Sequence, residues 1–189
     1  MEEKAKTEPK EGNGTEESEL YENLSEVEKE SWIKFHENVY KDDLNHSEKD
    51  LMEFPRWSII SGYYAMHDIT KLYLGKIHDI KITRENVHTK VIDALNKFIQ
   101  DKQEKDKIIG LLNKAEISFF NVLRLQEKTL PLMLRKGKTE RGKTQYYSKD
   151  FSDITSQRAV YFFDNIVKPY IEIMKGMLSK PEENNENAA

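Results

Sequence analysis

Apolar residues in this chain return every three or four positions, not every second one. Trp32, Phe35 and Val39, flanked by Ile33 and Tyr40, form the first such stripe, and a period near 3.6 puts them on one side of a helix. Ser25-Glu26-Val27-Glu28 stands just before it. A Ser followed three residues later by Glu is the form of a capping box, in which side chains satisfy backbone groups that a helix start leaves unpaired. Pro55 suits the first turn of a second helix, running to about Leu74 with Gly75 as its stop. Ile59, Ile60, Tyr63, Tyr64, Met66, Ile69, Leu72 and Tyr73 make that helix apolar almost all round, the pattern of a central helix in a bundle. Val87, Val91, Leu95 and Phe98 or Ile99 mark a third helix. Ile108, Leu111, Leu112, Ala115, Phe119, Val122 and Leu123 mark a fourth that starts near Glu104. Pro131 should end or kink it. A last helix from about Thr155 carries Ala159, Phe162, Phe163, Ile166, Val167, Tyr170, Ile173 and Met177, interrupted by Pro169. No stretch sustains apolar–polar alternation, so no sheet is expected. The fold class is all-α, a single helical bundle of about five helices.

The bundle is expected over residues 25–179. Residues 1–24 are rich in Glu, Lys, Gly, Asn and Thr, with almost no large apolar residue before Leu20. Such a segment buries too little surface to offset its ordering entropy, so it reads as a disordered acidic tail. Residues 180–189 read the same way. Residues 136–154 form a nineteen-residue connection, long for a compact bundle, and loops of that length are usually functional or mobile.

Charge changes the picture. The net charge of −4 is the sum of unlike parts. Residues 1–30 hold eleven Glu against four Lys, and residues 180–189 hold three Glu against Lys180. Residues 31–179 hold 25 basic against 20 acidic residues, a net of +5. The stretch 135–149 alone contains Arg135, Lys136, Lys138, Arg141, Lys143 and Lys149 against the single acid Glu140. That cluster accounts for the whole excess and includes Tyr146 and Tyr147. Lys/Arg clusters of this kind give salt-sensitive, sequence-independent affinity for phosphate or nucleic acid. Arg135, Lys136, Lys138, Arg141 and Lys143 are therefore the candidate nucleic-acid contacts.

Composition excludes several chemistries. The chain has no Cys, which removes disulfides, thiol nucleophiles, thiolate zinc sites and iron–sulfur clusters. No two of the five His form an HExxH or HxH pair, so neither metal nor cofactor is expected. No apolar run approaches the roughly 20 residues that span a bilayer. The acidic, polar N-terminus is unlike a signal peptide, so a cytoplasmic protein without membrane partners is expected.

Ser61-Gly62-Tyr63-Tyr64-Ala65-Met66, then Leu72-Tyr73-Leu74, then Val87-His88-Thr89-Lys90-Val91-Ile92 resemble the HEPN domain family. Its members often carry a Tyr-Tyr-Ala-Met stretch on a buried helix and a His opening the next. The segment from Arg141 to Tyr147 and the helix from Arg158-Ala159 through Phe163 to Met174 are similar in layout to the family's C-terminal part. The likeness spans about residues 30–178. It implies a helical bundle that forms homodimers and binds RNA or a nucleotide. It also implies metal-independent endoribonuclease activity of toxin–antitoxin type where the family's Arg-to-His motif is present. The alternative is a non-catalytic protein-binding module, for example one paired with a nucleotidyltransferase.

The family motif separates Arg from His by four to six residues. The nearest pair here is Arg84 and His88, with three between. An i,i+4 pair shares one helix face. The His would move protons at the 2′-hydroxyl and the leaving oxygen, and the Arg would stabilise charge on the phosphorane. Arg84 and His88 are the candidate catalytic residues. His67 is expected as a hydrogen-bonded core residue, Asp68 as a partner of a Lys or a cap, and Tyr63 and Tyr64 as core packing.

Overall fold

The structure, a computed structural model, describes residues 21–82, 86–137 and 155–180, with 125–137 described as backbone alone. Helix α1 spans Glu26–Lys49, α2 Pro55–Ile77, α3 Val87–Phe98 and α4 Lys102–Gly137. Helix α5 starts as Ser156–Phe162, passes through a π-helical stretch at Phe163–Val167 and ends as Lys168–Ser179. The chain is an all-α bundle with five helices among the described residues.

Local chemistry sets the helix starts. The Glu28 carboxylate accepts from both the Ser25 N–H (3.3 Å) and the Ser25 hydroxyl (2.7 Å), the capping arrangement expected there. Asp101 Oδ1 accepts from the Glu104 N–H at 2.7 Å, and Thr155 Oγ1 from the Arg158 N–H at 3.3 Å. Each satisfies one orphan donor of a helix first turn.

Helix α2 is the axis of the bundle. Ala65, Met66, Ile69 and Leu74 have no exposed surface. Against α1 it is locked by a reciprocal pair: Ser47 Oγ donates to the Ser58 carbonyl at 2.8 Å and Ser58 Oγ to the Ser47 carbonyl at 2.7 Å. Against α5 it is tied by Thr70 and Tyr170, whose oxygens lie 2.6 Å apart. The single Thr70 proton goes to the Met66 carbonyl at 2.8 Å, so Tyr170 is the donor across the helix pair.

Four expectations need correction. A two-residue antiparallel ladder joins β1 (Glu22–Asn23) to β2 (Ile80–Lys81), pairing Glu22 with Lys81 and Asn23 with Ile80. Strands this short show no alternation to read. Residues 21–24, just before the expected start at residue 25, are also packed onto the bundle. The Leu24 N–H donates to the Asp79 carbonyl at 2.7 Å, its side chain is buried, and Tyr21 packs edge-on against Phe98. Pro131 does not end α4, which continues to Gly137. A proline removes only its own backbone donor and crowds one carbonyl, a local loss. Arg135 and Lys136 thus lie on α4 and not in a loop. Pro169 does not break the last helix either. Its ring crowds the carbonyl four residues back, at Asn165, and that carbonyl lies within the wider π-helical stretch. Residues 1–20 and 181–189, and the disorder assigned to them from sequence, lie outside the described residues.

Candidate functional site

Consecutive residues on a helix point about 100° apart, and α2 uses this at His67 and Asp68. Both are buried, at 5% and 7% exposure, yet they serve different sides of the bundle. Asp68 faces α1. Its Oδ1 accepts from His36 Nδ1 at 2.8 Å and from Lys71 Nζ at 3.4 Å. Burial raises the Asp68 pKa, but the His36 hydrogen bond and the Lys71 charge outweigh it, and the carboxyl sits below its ordinary value. The expected Lys partner is present; the His partner was not legible. Asp43 lies nearby. Burial first, and then the Asp68 charge, push its carboxyl up to about 6.

His67 faces the other way and meets His88, the second residue of α3. Asn86 caps that helix at φ 58° and ψ 33°, left-handed values that Asn tolerates better than most residues. His88 Nδ1 lies 3.0 Å from the Tyr63 hydroxyl and 3.3 Å from His67 Nε2. Its other nitrogen, Nε2, lies 3.0 Å from Glu116 Oε2 on α4. Nε2 and the Glu116 carboxylate are thus in close contact without an aligned hydrogen bond.

Proton counting assigns the tautomers. If His88 Nδ1 is the acceptor, its one in-plane lone pair takes the closer Tyr63 O–H at 3.0 Å, and the His67 Nε2–H at 3.3 Å shares it as the weaker contact. His88 then carries its proton on Nε2, toward the Glu116 carboxylate. His67 Nδ1 is left bare, which matches its lack of any partner. Burial first, and then the His88 and Lys71 charges, push His67 down to about 3, so it is neutral at pH 7. Burial also lowers His88, with Glu116 opposing. The Tyr63 hydroxyl is pushed above its ordinary value by burial, then by Glu116 and Tyr64.

Aromatic rings frame this group. Tyr63 stacks on Phe119 with centroids 4.3 Å apart, and Tyr64 meets the same ring edge-on at 5.6 Å. Tyr63 is buried as expected. Tyr64 is 47% exposed, so its assignment to the core is corrected. A helix apolar all round still turns one residue to solvent where no neighbour covers it.

Of the residues chosen from sequence, His88 enters this cluster. Arg84, Lys138, Arg141 and Lys143 lie outside the described residues. Arg135 and Lys136 are described only as part of the α4 backbone. Sequence reasoning missed Glu116. It is one acid among 34 Asp and Glu, with no motif to single it out. The faint signal was its place one residue off the apolar stripe of α4. No group of three or more His, Asp or Glu among the described residues could hold a metal ion. No helix among them is long and apolar enough to cross a membrane. Comparison with protein-family models, curated proteins and solved structures returned no match.

Proposed function

We propose that this chain is a HEPN-like module that binds RNA or a nucleotide, with His88 as its chemical centre. The observation that carries this reading is the setting of His88. A half-buried imidazole, lowered in pKa by burial, stands between the Tyr63 hydroxyl and the Glu116 carboxylate, each at 3.0 Å. Neutral His is the form that takes a proton, and a carboxylate partner steadies the imidazolium that follows. The reaction is phosphodiester cleavage in which the 2′-hydroxyl attacks phosphorus and the bond to the 5′-oxygen breaks: the Nε2–H of one His88 would give its proton to the leaving 5′-oxygen, and the second His88 of a homodimer, with Nε2 bare, would take the proton of the 2′-hydroxyl. Arg84 would supply positive charge to the phosphorane. The basic residues from Arg135 to Lys143 would hold the backbone phosphates. A homodimer would bring two copies of His88 to one strand. Substrate reaches Nε2 only once Glu116, 30% exposed, swings away from it.

One observation favours a second reading, binding without cleavage. His88 Nε2 is closed to solvent in this conformation. The helical surface would then dock RNA or a protein such as a nucleotidyltransferase.

A labelled single-stranded RNA, incubated with purified protein in low salt, separates the two. Cleavage and binding by the natural chain, with cleavage lost and binding kept in His88→Ala, supports the first reading. Removing such a group is expected to cost about 10²- to 10⁴-fold in rate. Binding with no cleavage by the natural chain leaves the second. A chain that neither binds nor cuts RNA overturns both RNA readings and leaves only docking of a protein, read by co-purification of a stable complex.

A further inference from the structure

On the opposite flank of α4 from His88, a cleft of about 360 Å³ opens between α4 and α5 over the end of α2. Its floor is apolar: Ile59 and Phe162 are buried, at 5% and 2% exposure. One wall is the Tyr161 ring, 64% exposed. Asn121, Gln157 and Arg158 stand at the rim.

We propose that this cleft holds one unpaired base of a single-stranded RNA, stacked on Tyr161. The inference rests on the RNA-binding reading above and gives it a second, separate contact site. A nucleobase has two flat apolar faces and a polar edge. The cleft offers an apolar floor, an aromatic wall, and amides that each present a donor and an acceptor. Its volume is in the lower part of the range for small-ligand sites, roughly 300–1,000 Å³. A large exposed ring beside such a floor leaves apolar surface in water that a base would cover.

Charge argues for RNA over a neutral partner. Arg158 is at the rim, and Arg124 follows Asn121 by one turn on α4. The connection that joins α4 to α5 carries most of the basic run between Arg135 and Lys149. By chain connectivity, the two helices that wall the cleft are the two that this basic run links. Stacking a base and neutralising its phosphates are the two parts of sequence-tolerant single-strand binding.

The test uses the full chain and two labelled probes of about 12 nucleotides, within the span of known single-strand sites. One is oligo(A) RNA and the other is the same backbone without bases. Tyr161→Ala should weaken oligo(A) binding about tenfold and leave the abasic probe unchanged. Tyr161→Phe should restore oligo(A) binding, since the ring is retained. Asn121→Ala should weaken oligo(A) several-fold, and Phe35→Ala, an exposed ring on α1, should weaken neither. Unchanged oligo(A) affinity in Tyr161→Ala overturns the base site while leaving the RNA-binding reading intact. Equal loss for both probes also overturns it, because the ring would then act through fold or backbone contact. A natural chain that binds neither probe overturns both this inference and the reading beneath it. So does a protein ligand that competes for the cleft in the absence of any RNA binding.

Discussion

Single residues in this fold are set by what surrounds them, and pH makes that measurable. The ordinary His value is 6.5, and folded His67 is held at about 3. Between these values the unfolded chain binds a proton that the folded chain refuses. Stability from His67 is therefore full above pH 6.5 and is lost as pH falls toward 3, by up to about 1.4 kcal/mol per pH unit. His67→Phe keeps a ring of similar size without the titration. Urea midpoints at pH 7 and pH 5 should fall further in the natural chain than in this variant. Equal falls would refute the assignment. Asp43 has the opposite sign. Its folded value of about 6 lies above the ordinary 3.8, so its ionised form opposes folding above pH 6 and that opposition fades as pH falls. Asp43→Asn should raise the melting temperature at pH 8 and lose this advantage near pH 4. His88 was legible from the sequence because it opens a helix in a known arrangement. Glu116 was not, since its role comes from a contact between helices that no local pattern records.

At the level of elements, apolar periodicity located the five helices found among the described residues, because each buries a stripe. What it could not weigh was how neighbours tolerate a breaker. Pro131 and Pro169 both read as interruptions, and both helices continue. The strand pair at Glu22–Asn23 and Ile80–Lys81 escaped notice because pairing there depends on two segments meeting, not on pattern within either. Glycines show the same dependence on context. A Cβ on Gly62 would meet Ser47 Oγ at 2.8 Å, Phe162 Cε1 at 2.9 Å and Val167 Cγ2 at 2.9 Å. It is the point where α1 and α5 both press on α2. A Cβ on Gly110 or Gly176 meets nothing within 4 Å. Gly62→Ala should destabilise by about 1–3 kcal/mol through overpacking, partly offset by helix propensity. Gly110→Ala should stabilise by about 0.5–1 kcal/mol through propensity alone. Thermal melts of the two variants should move in opposite directions, and a matching shift would show that Gly62 is not the contact point.

For the whole molecule, the charge partition and the fold boundary combine into one expectation. The sequence places the acidic balance at the ends and the basic excess in residues 135–149. Tyr21, four residues before the expected start of the bundle, packs on Phe98 and beneath the Lys97 ammonium. A truncation should therefore remove residues 1–20 and spare Tyr21 and Leu24. Residues 1–20 hold seven Glu and three Lys, so their removal takes the net charge from −4 to zero. An acidic segment tethered to a basic surface competes with RNA phosphates at high local concentration. The truncated chain should bind single-stranded RNA several-fold more tightly at low salt. The gain should shrink as ionic strength rises, since screening lengths fall to about 10 Å at 0.1 M. Removing residues 1–24 instead should also lower the melting temperature, because Leu24 and its bond to Asp79 go with the tail. Equal RNA affinity with and without residues 1–20, at the lowest salt, would show that the acidic segment does not mask the basic one.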